Sequence, residues 1–124
     1  MSNLPEGRIF SLGNKQFNFS VATEAIELIT GLGGVTNLHP FDGMLFDFGM
    51  NWPVEMTPKG LAFPVEVAFI SDMGLIKEIK VLNPRGHNTY TFTQKSSEEV
   101  RFALEVPFGF FEKNDIAVGD VLEF

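Results

Sequence analysis

The sequence predicts an α+β protein that is mainly β: a small barrel-like antiparallel sheet of about eight short strands, one short helix at about residues 23–30, and a helical turn near 108–113. Three observations carry this reading. Apolar residues recur at every second position in several short runs, the period of a strand with one covered face. Clusters of Gly, Pro, Asn and Asp separate those runs at the spacing of a small barrel or sandwich. Only residues 23–30 carry a convincing helical pattern.

Residues 1–7 are polar and interrupted by Pro5, so a loose arm is expected ahead of a first strand at 9–12. Gly13-Asn14 then suggests a hairpin into a second strand, where Phe17, Phe19 and Val21 alternate with Asn18 and Ser20. Thr23 is placed to cap the helix, with Glu24 and Glu27 where the helix dipole favours acids. Ala25, Ile26, Leu28 and Ile29 give it an apolar side, and Gly31 can close it. Residues 31–43 read as an ordered loop with Leu32, Leu38 and Phe41 turned inward.

A strand at 44–48 is broken by Gly49 and Asn51-Trp52-Pro53, resumes at 54–57, and ends at the turn Pro58-Lys59-Gly60. Residues 64–70 form the strongest strand, with Val65, Val67 and Phe69 on one face and Glu66, Ala68 and Ile70 on the other. A turn at 71–74 returns the chain through 75–82 as an antiparallel hairpin. Tyr90 and Phe92 alternate with threonines in a further short strand. Val100, Phe102, Leu104 and Val106 alternate with Arg101, Ala103 and Glu105, which reads as a half-buried strand. After the helical turn, Val118-Gly119-Asp120 makes a turn into a final strand at 121–124.

The 124 residues are expected to form a single domain, with 44% hydrophobic and 20% charged residues, as in ordinary globular chains. Fourteen Phe against one Tyr and one Trp point to core filling rather than to a stacking platform. The net charge of -7 disfavours nucleic acid and anionic membranes as partners. With no Cys there is no disulfide framework, thiolate metal site or Cys nucleophile. No signal-like or membrane-spanning run is present, so no membrane insertion is expected. As it stands the chain is expected to be cytoplasmic, or exported if a leader has been removed.

Four blocks resemble the DUF192 family, small bacterial and archaeal domains of unknown function. The segment Val-Ala-Thr-Glu-Ala-Ile-Glu-Leu-Ile-Thr-Gly-Leu at 21–32 resembles the family helix and its Gly-Leu exit. Gly43-Met44-Leu45-Phe46-Asp47-Phe48 matches the family's Gly-Met-Leu-Phe-x-Phe strand. Residues 64–70 resemble its Pro-Leu-Asp-Ile-x-Phe-Ile strand, with Glu66 in place of Asp, and residues 104–124 resemble its closing segment. The resemblance covers about residues 17–124 and implies a mainly β, barrel-like α+β domain. Two stretches depart from it. Gly33 and Val35 stand where the family commonly has Met and Arg, and residues 55–60 replace a Trp-Met-Lys-Asn-Thr run.

The stretch 42–66 concentrates Asp42, Asp47, Glu55 and Glu66. If the face carrying Glu66 is covered it needs a partner, and Lys59 or Lys80 would serve. Trp52, with Met50, Met56 and His39, has the composition of an apolar cleft wall. His39 and His87 lie far apart in loops, so a metal site is not expected, and no cofactor motif is present. No catalytic residue is assigned. The expected function is a non-catalytic binding module for a small molecule or protein, with a cleft formed by Trp52, Glu55, Met56, Lys59 and Glu66. Two alternatives stand beside it: a hydrolase acting through carboxylates such as Asp47 and Glu66, and a structural or assembly module. A monomer or weak homodimer is expected.

Overall fold

Paired positive backbone angles at Gly13 and Asn14, φ 59° and 65°, set the first feature of the fold, a two-residue hairpin of the type whose twist matches its strands. In a computed structural model, which describes residues 4–84 and 93–124, this hairpin joins β1 (Gly7–Leu12) to β2 (Lys15–Ala22) with Leu12 opposite Lys15. Helix α1 (Ala25–Thr30) and a loop lead to β3 (Gly43–Trp52), followed by the short β4 (Glu55–Met56). A hairpin of β5 (Val65–Ile70) and β6 (Ile76–Leu82), a short β7 (Gln94–Lys95), β8 (Val100–Pro107), helix α2 (Phe110–Lys113) and β9 (Leu122–Glu123) complete the order.

Seven of these strands form one curled sheet in the order β6-β5-β8-β3-β2-β1-β9, and β4 pairs with β7 in a second small sheet. The protein is therefore mainly β, with two short helices among the described residues. The curl brings the sheet's two ends together: Leu75 bridges Val121, and Leu122 N–H donates to the Gly74 carbonyl at 2.7 Å. A Cβ on Gly74, where φ is 88°, would stand 2.4 Å from the Leu122 carbonyl oxygen, so this closure requires a glycine.

Three features differ in detail from the expectation. The pair β2–β3 is parallel rather than antiparallel, because residues 23–42, α1 included, cross over the sheet between them. Helix α1 is capped at Glu24 rather than Thr23, and the Glu27 carboxylate accepts from both backbone N–H groups, at 3.0 and 3.1 Å. Strand β8 is buried on both faces rather than half-buried. It lies between β5 and β3, and both sides of the sheet are covered there. Ahead of β1, the Pro5 and Glu6 carbonyls accept from Ser20 Oγ and Val21 N–H, which ties these two residues to β2. The expected strand at Tyr90 and Phe92 lies outside the described residues.

Two apolar layers follow from the curl. The inner one packs Phe10, Phe17, Phe19, Leu45, Phe102 and Phe111 with their neighbours. Its rings meet at 5.0 Å for Phe17–Phe110 and at 5.7 Å for both Phe10–Phe19 and Phe17–Phe19. The outer one covers the other face of β3, β5 and β8 with Leu32, Val54 and Met56, together with the half-buried Leu28, Phe48 and Leu61. This outer layer is what makes a site possible.

Candidate functional site

Alternation along β8 sends Phe102, Leu104 and Val106 into the inner layer and turns Ala103 and Glu105 to the outer one. Glu105 therefore lies beneath the crossover loop, and only 2% of its surface is exposed. The Leu32 backbone N–H hydrogen-bonds its carboxyl group, while Oε1 has no hydrogen-bond partner among the described residues. Burial pushes this carboxyl up to about 8, with the Leu32 hydrogen bond acting in the opposite direction. At neutral pH Glu105 is mainly protonated. Its signal in the sequence was a Glu between Leu104 and Val106, which alternation alone placed on the exposed face of a half-covered strand.

Glu105 lines a cavity of about 320 Å³, near the lower end of the size range of small-molecule sites. Leu28, Phe46, Phe48, Met56 and Leu61 supply apolar walls, and Glu55 and Lys59 are its two other ionisable lining groups. The roof is a strap of glycines after α1. Gly31 closes the helix at φ 51°, and a Cβ there would stand 2.9 Å from the Phe46 ring. Gly34 N–H donates to the Gly60 carbonyl at 2.9 Å, which joins the strap to the 58–60 turn. The two stretches that depart from the family pattern, one containing Gly33 and Val35 and the other at residues 55–60, thus meet over this cavity. On the other side of the strap lies a broader groove of about 800 Å³, lined by Ile26, Glu27, Thr36, Asn37 and His39 among others.

The five residues expected to form one cleft occupy different places. Glu55, Met56 and Lys59 line the Glu105 cavity; Trp52 and Glu66 are not among its lining residues. Trp52 stands at the end of β3, opposite Val100 and 52% exposed, with Met50 also exposed. Glu66 occupies the opposite face of β5 from Val65 and Val67, where its carboxylate accepts from Gly109 N–H at 3.0 Å at the start of α2. Backbone, rather than Lys59 or Lys80, is therefore its partner. Lys80 instead donates to the Lys95 carbonyl and lies 3.6 Å from Glu78.

The remaining carboxylates serve the scaffold. Asp42 accepts from Asn18 N–H at 2.9 Å. Asp47 meets Arg101 through two hydrogen bonds of 3.0 and 3.1 Å and accepts from Gly49 N–H. Burial raises the Asp47 carboxyl, but the Arg101 and Gly49 hydrogen bonds and the Arg101 charge together hold it below its ordinary value. Along β8, Asp47 pairs with Phe102 and Glu66 with Val106. Four residues of strand and two inter-strand spacings put these two carboxylates roughly 16 Å apart. Paired acid and base carboxylates in glycosidases work at about 5–10 Å.

His39 lines the broader groove, and His87 lies outside the described residues. No group of three His, Cys, Asp or Glu side chains is placed to hold a metal ion among the described residues. Among those residues no helix is long and apolar enough to cross a membrane.

The profile of the DUF192 family, described as "Uncharacterized ACR", matches residues 8–124, and the chain belongs to that family. A search of curated proteins gave no match. Among solved structures, a Sinorhizobium meliloti 1021 protein provisionally described as a transcription regulator is similar, at TM-score 0.84 and 26% identity over 99% of this chain and 97% of that one. A protein of unknown function from Novosphingobium aromaticivorans DSM 12444 shares the fold, at TM-score 0.80 and 17% identity over 95% of this chain and 85% of that one.

Proposed function

We propose that this member of a family of unknown function is a non-catalytic ligand-binding module, and that its site is the cavity floored by Glu105 and roofed by the glycine strap. The observation that carries the reading is the buried Oε1 of Glu105, without a hydrogen-bond partner among the described residues, at a cavity walled largely by apolar side chains. A buried polar atom without a hydrogen bond costs about 1–3 kcal/mol, and a ligand that supplies the missing partner recovers it. Glu55, Met56 and Lys59 remain in the proposed site; Glu66 and Trp52 take scaffold and surface roles.

Two other readings have less support. A hydrolase built on Asp47 and Glu66 meets their separation, since each carboxylate is held by its own partner on a different part of the sheet. A regulator acting on nucleic acid, as the description of the Sinorhizobium meliloti protein would suggest by analogy, meets the charge of this chain, with 16 acidic residues against nine basic.

The test is a fragment screen followed by NMR of protein labelled with nitrogen-15 and at the methionine methyls. Binding fragments are expected to shift the Met56 methyl and the Leu32 amide. Shifts confined to Met50 and the Trp52 indole would move the site to the exposed end of β3 and remove the cavity from consideration.

A further inference from the structure

We infer that the ligand of this cavity is an uncharged molecule with an apolar body and one hydrogen-bond acceptor, a carbonyl or ether oxygen, placed to accept from Glu105. This rests on the reading of the cavity as a binding site and goes on to name the ligand's chemistry.

The argument starts from the carboxyl group. Its only described hydrogen bond comes from a donor, the Leu32 N–H. No ion pair among the described residues includes it: the three there join Lys77 to Glu98, Lys80 to Glu78 and Arg101 to Asp47. A carboxyl buried without a counter-charge stays neutral. The neutral group has a carbonyl oxygen, which the Leu32 N–H satisfies, and an O–H that can donate. The complement of that unmet donor is an acceptor.

The surroundings agree. Leu28, Phe46, Phe48, Met56 and Leu61 offer no hydrogen bonds and favour an apolar body. The two other ionisable lining groups, Glu55 and Lys59, are of opposite sign and give the cavity no net preference for a charged ligand. Glu27 of α1 lines the groove on the far side of the strap and is engaged by the Thr23 and Glu24 N–H groups. A cationic ligand would have to ionise Glu105 and lose its own hydration, a cost that a buried ion pair often fails to recover.

Two probes with the same ring separate the cases: cyclohexanone, which only accepts hydrogen bonds, and cyclohexylammonium, a cation that only donates. At pH 6.5 cyclohexanone is expected to shift the Met56 methyl and Leu32 amide saturably. Its affinity should fall at least about tenfold by pH 9.5, where Glu105 is mostly ionised. Glu105→Gln, whose amide can donate in place of the O–H, should hold the affinity within roughly threefold, and Glu105→Leu should lose it. Preferred binding of cyclohexylammonium, strengthening with pH and lost in Glu105→Gln, would overturn the acceptor assignment and leave the cavity as a binding site. No saturable shift of Met56 with either probe would overturn both.

Discussion

Replacing Glu105 by Gln should make the protein more stable at alkaline pH, because it removes an ionisation that the fold opposes. The folded-state value is about 8 against an ordinary 4.5. Between those limits the folded chain holds a proton that the unfolded chain has released, so stability is greatest below pH 4.5 and is lost as pH rises toward 8. The gap from 4.5 to about 8, at about 1.4 kcal/mol per tenfold step in proton affinity, amounts to about 5 kcal/mol in total and about 4 kcal/mol between pH 5 and pH 9. A chain of this length has roughly 6–19 kcal/mol of stability to lose, so the effect is large. Urea unfolding followed by far-ultraviolet circular dichroism at pH 5 and pH 9 measures it. The wild type should lose the full amount over that range, and Glu105→Gln only what the other titrating groups contribute. Groups common to both proteins cancel in the difference. Asp47 and Glu78, both held below their ordinary values, contribute stability that is lost only as pH falls through the acid range. Parallel pH profiles for the two proteins would refute a buried, uncompensated Glu105.

Glu66→Ala should cost about 1–2 kcal/mol in urea unfolding by leaving the first N–H groups of α2 without their acceptor, while cyclohexanone binding at Met56 is unchanged. Gly43→Ala would set a Cβ 2.6 Å from the Glu105 carbonyl oxygen across the β3–β8 pair. It should destabilise by about 1–3 kcal/mol or prevent folding, read as a lowered unfolding midpoint or as insoluble product. Arg101→Met removes the two-point contact with Asp47, and a loss of about 1 kcal/mol is expected at pH 7, shrinking in acid as Asp47 takes up a proton.

The strands were legible wherever one face met the core and the other met water. Phe17 and Phe19 in β2 show that alternation, and the Gly13-Asn14 turn is a local matter of backbone angles. The same rule failed at β8. A strand at the middle of a sheet covered on both sides owes its burial to elements far away in the chain, here the crossover loop and residues 53–63. Alternation read Glu105 as facing water because sequence periodicity reports a strand's own pattern and says nothing of what covers it. The grouping of Trp52, Lys59 and Glu66 failed for a related reason: nearness in sequence ignores the face of the sheet on which each side chain lies.

Local pattern and composition were enough for the mainly β class, the family, the first hairpin and the position of the crossover helix. The parallel β2–β3 pair, the closure of the curled sheet at Gly74 and Leu122, and the burial of Glu105 beneath Leu32 emerged only from the folded chain. Those depend on which distant segments meet. A carboxyl group's protonation is set by the solvent it loses, and that loss comes from segments up to about seventy residues away along the chain.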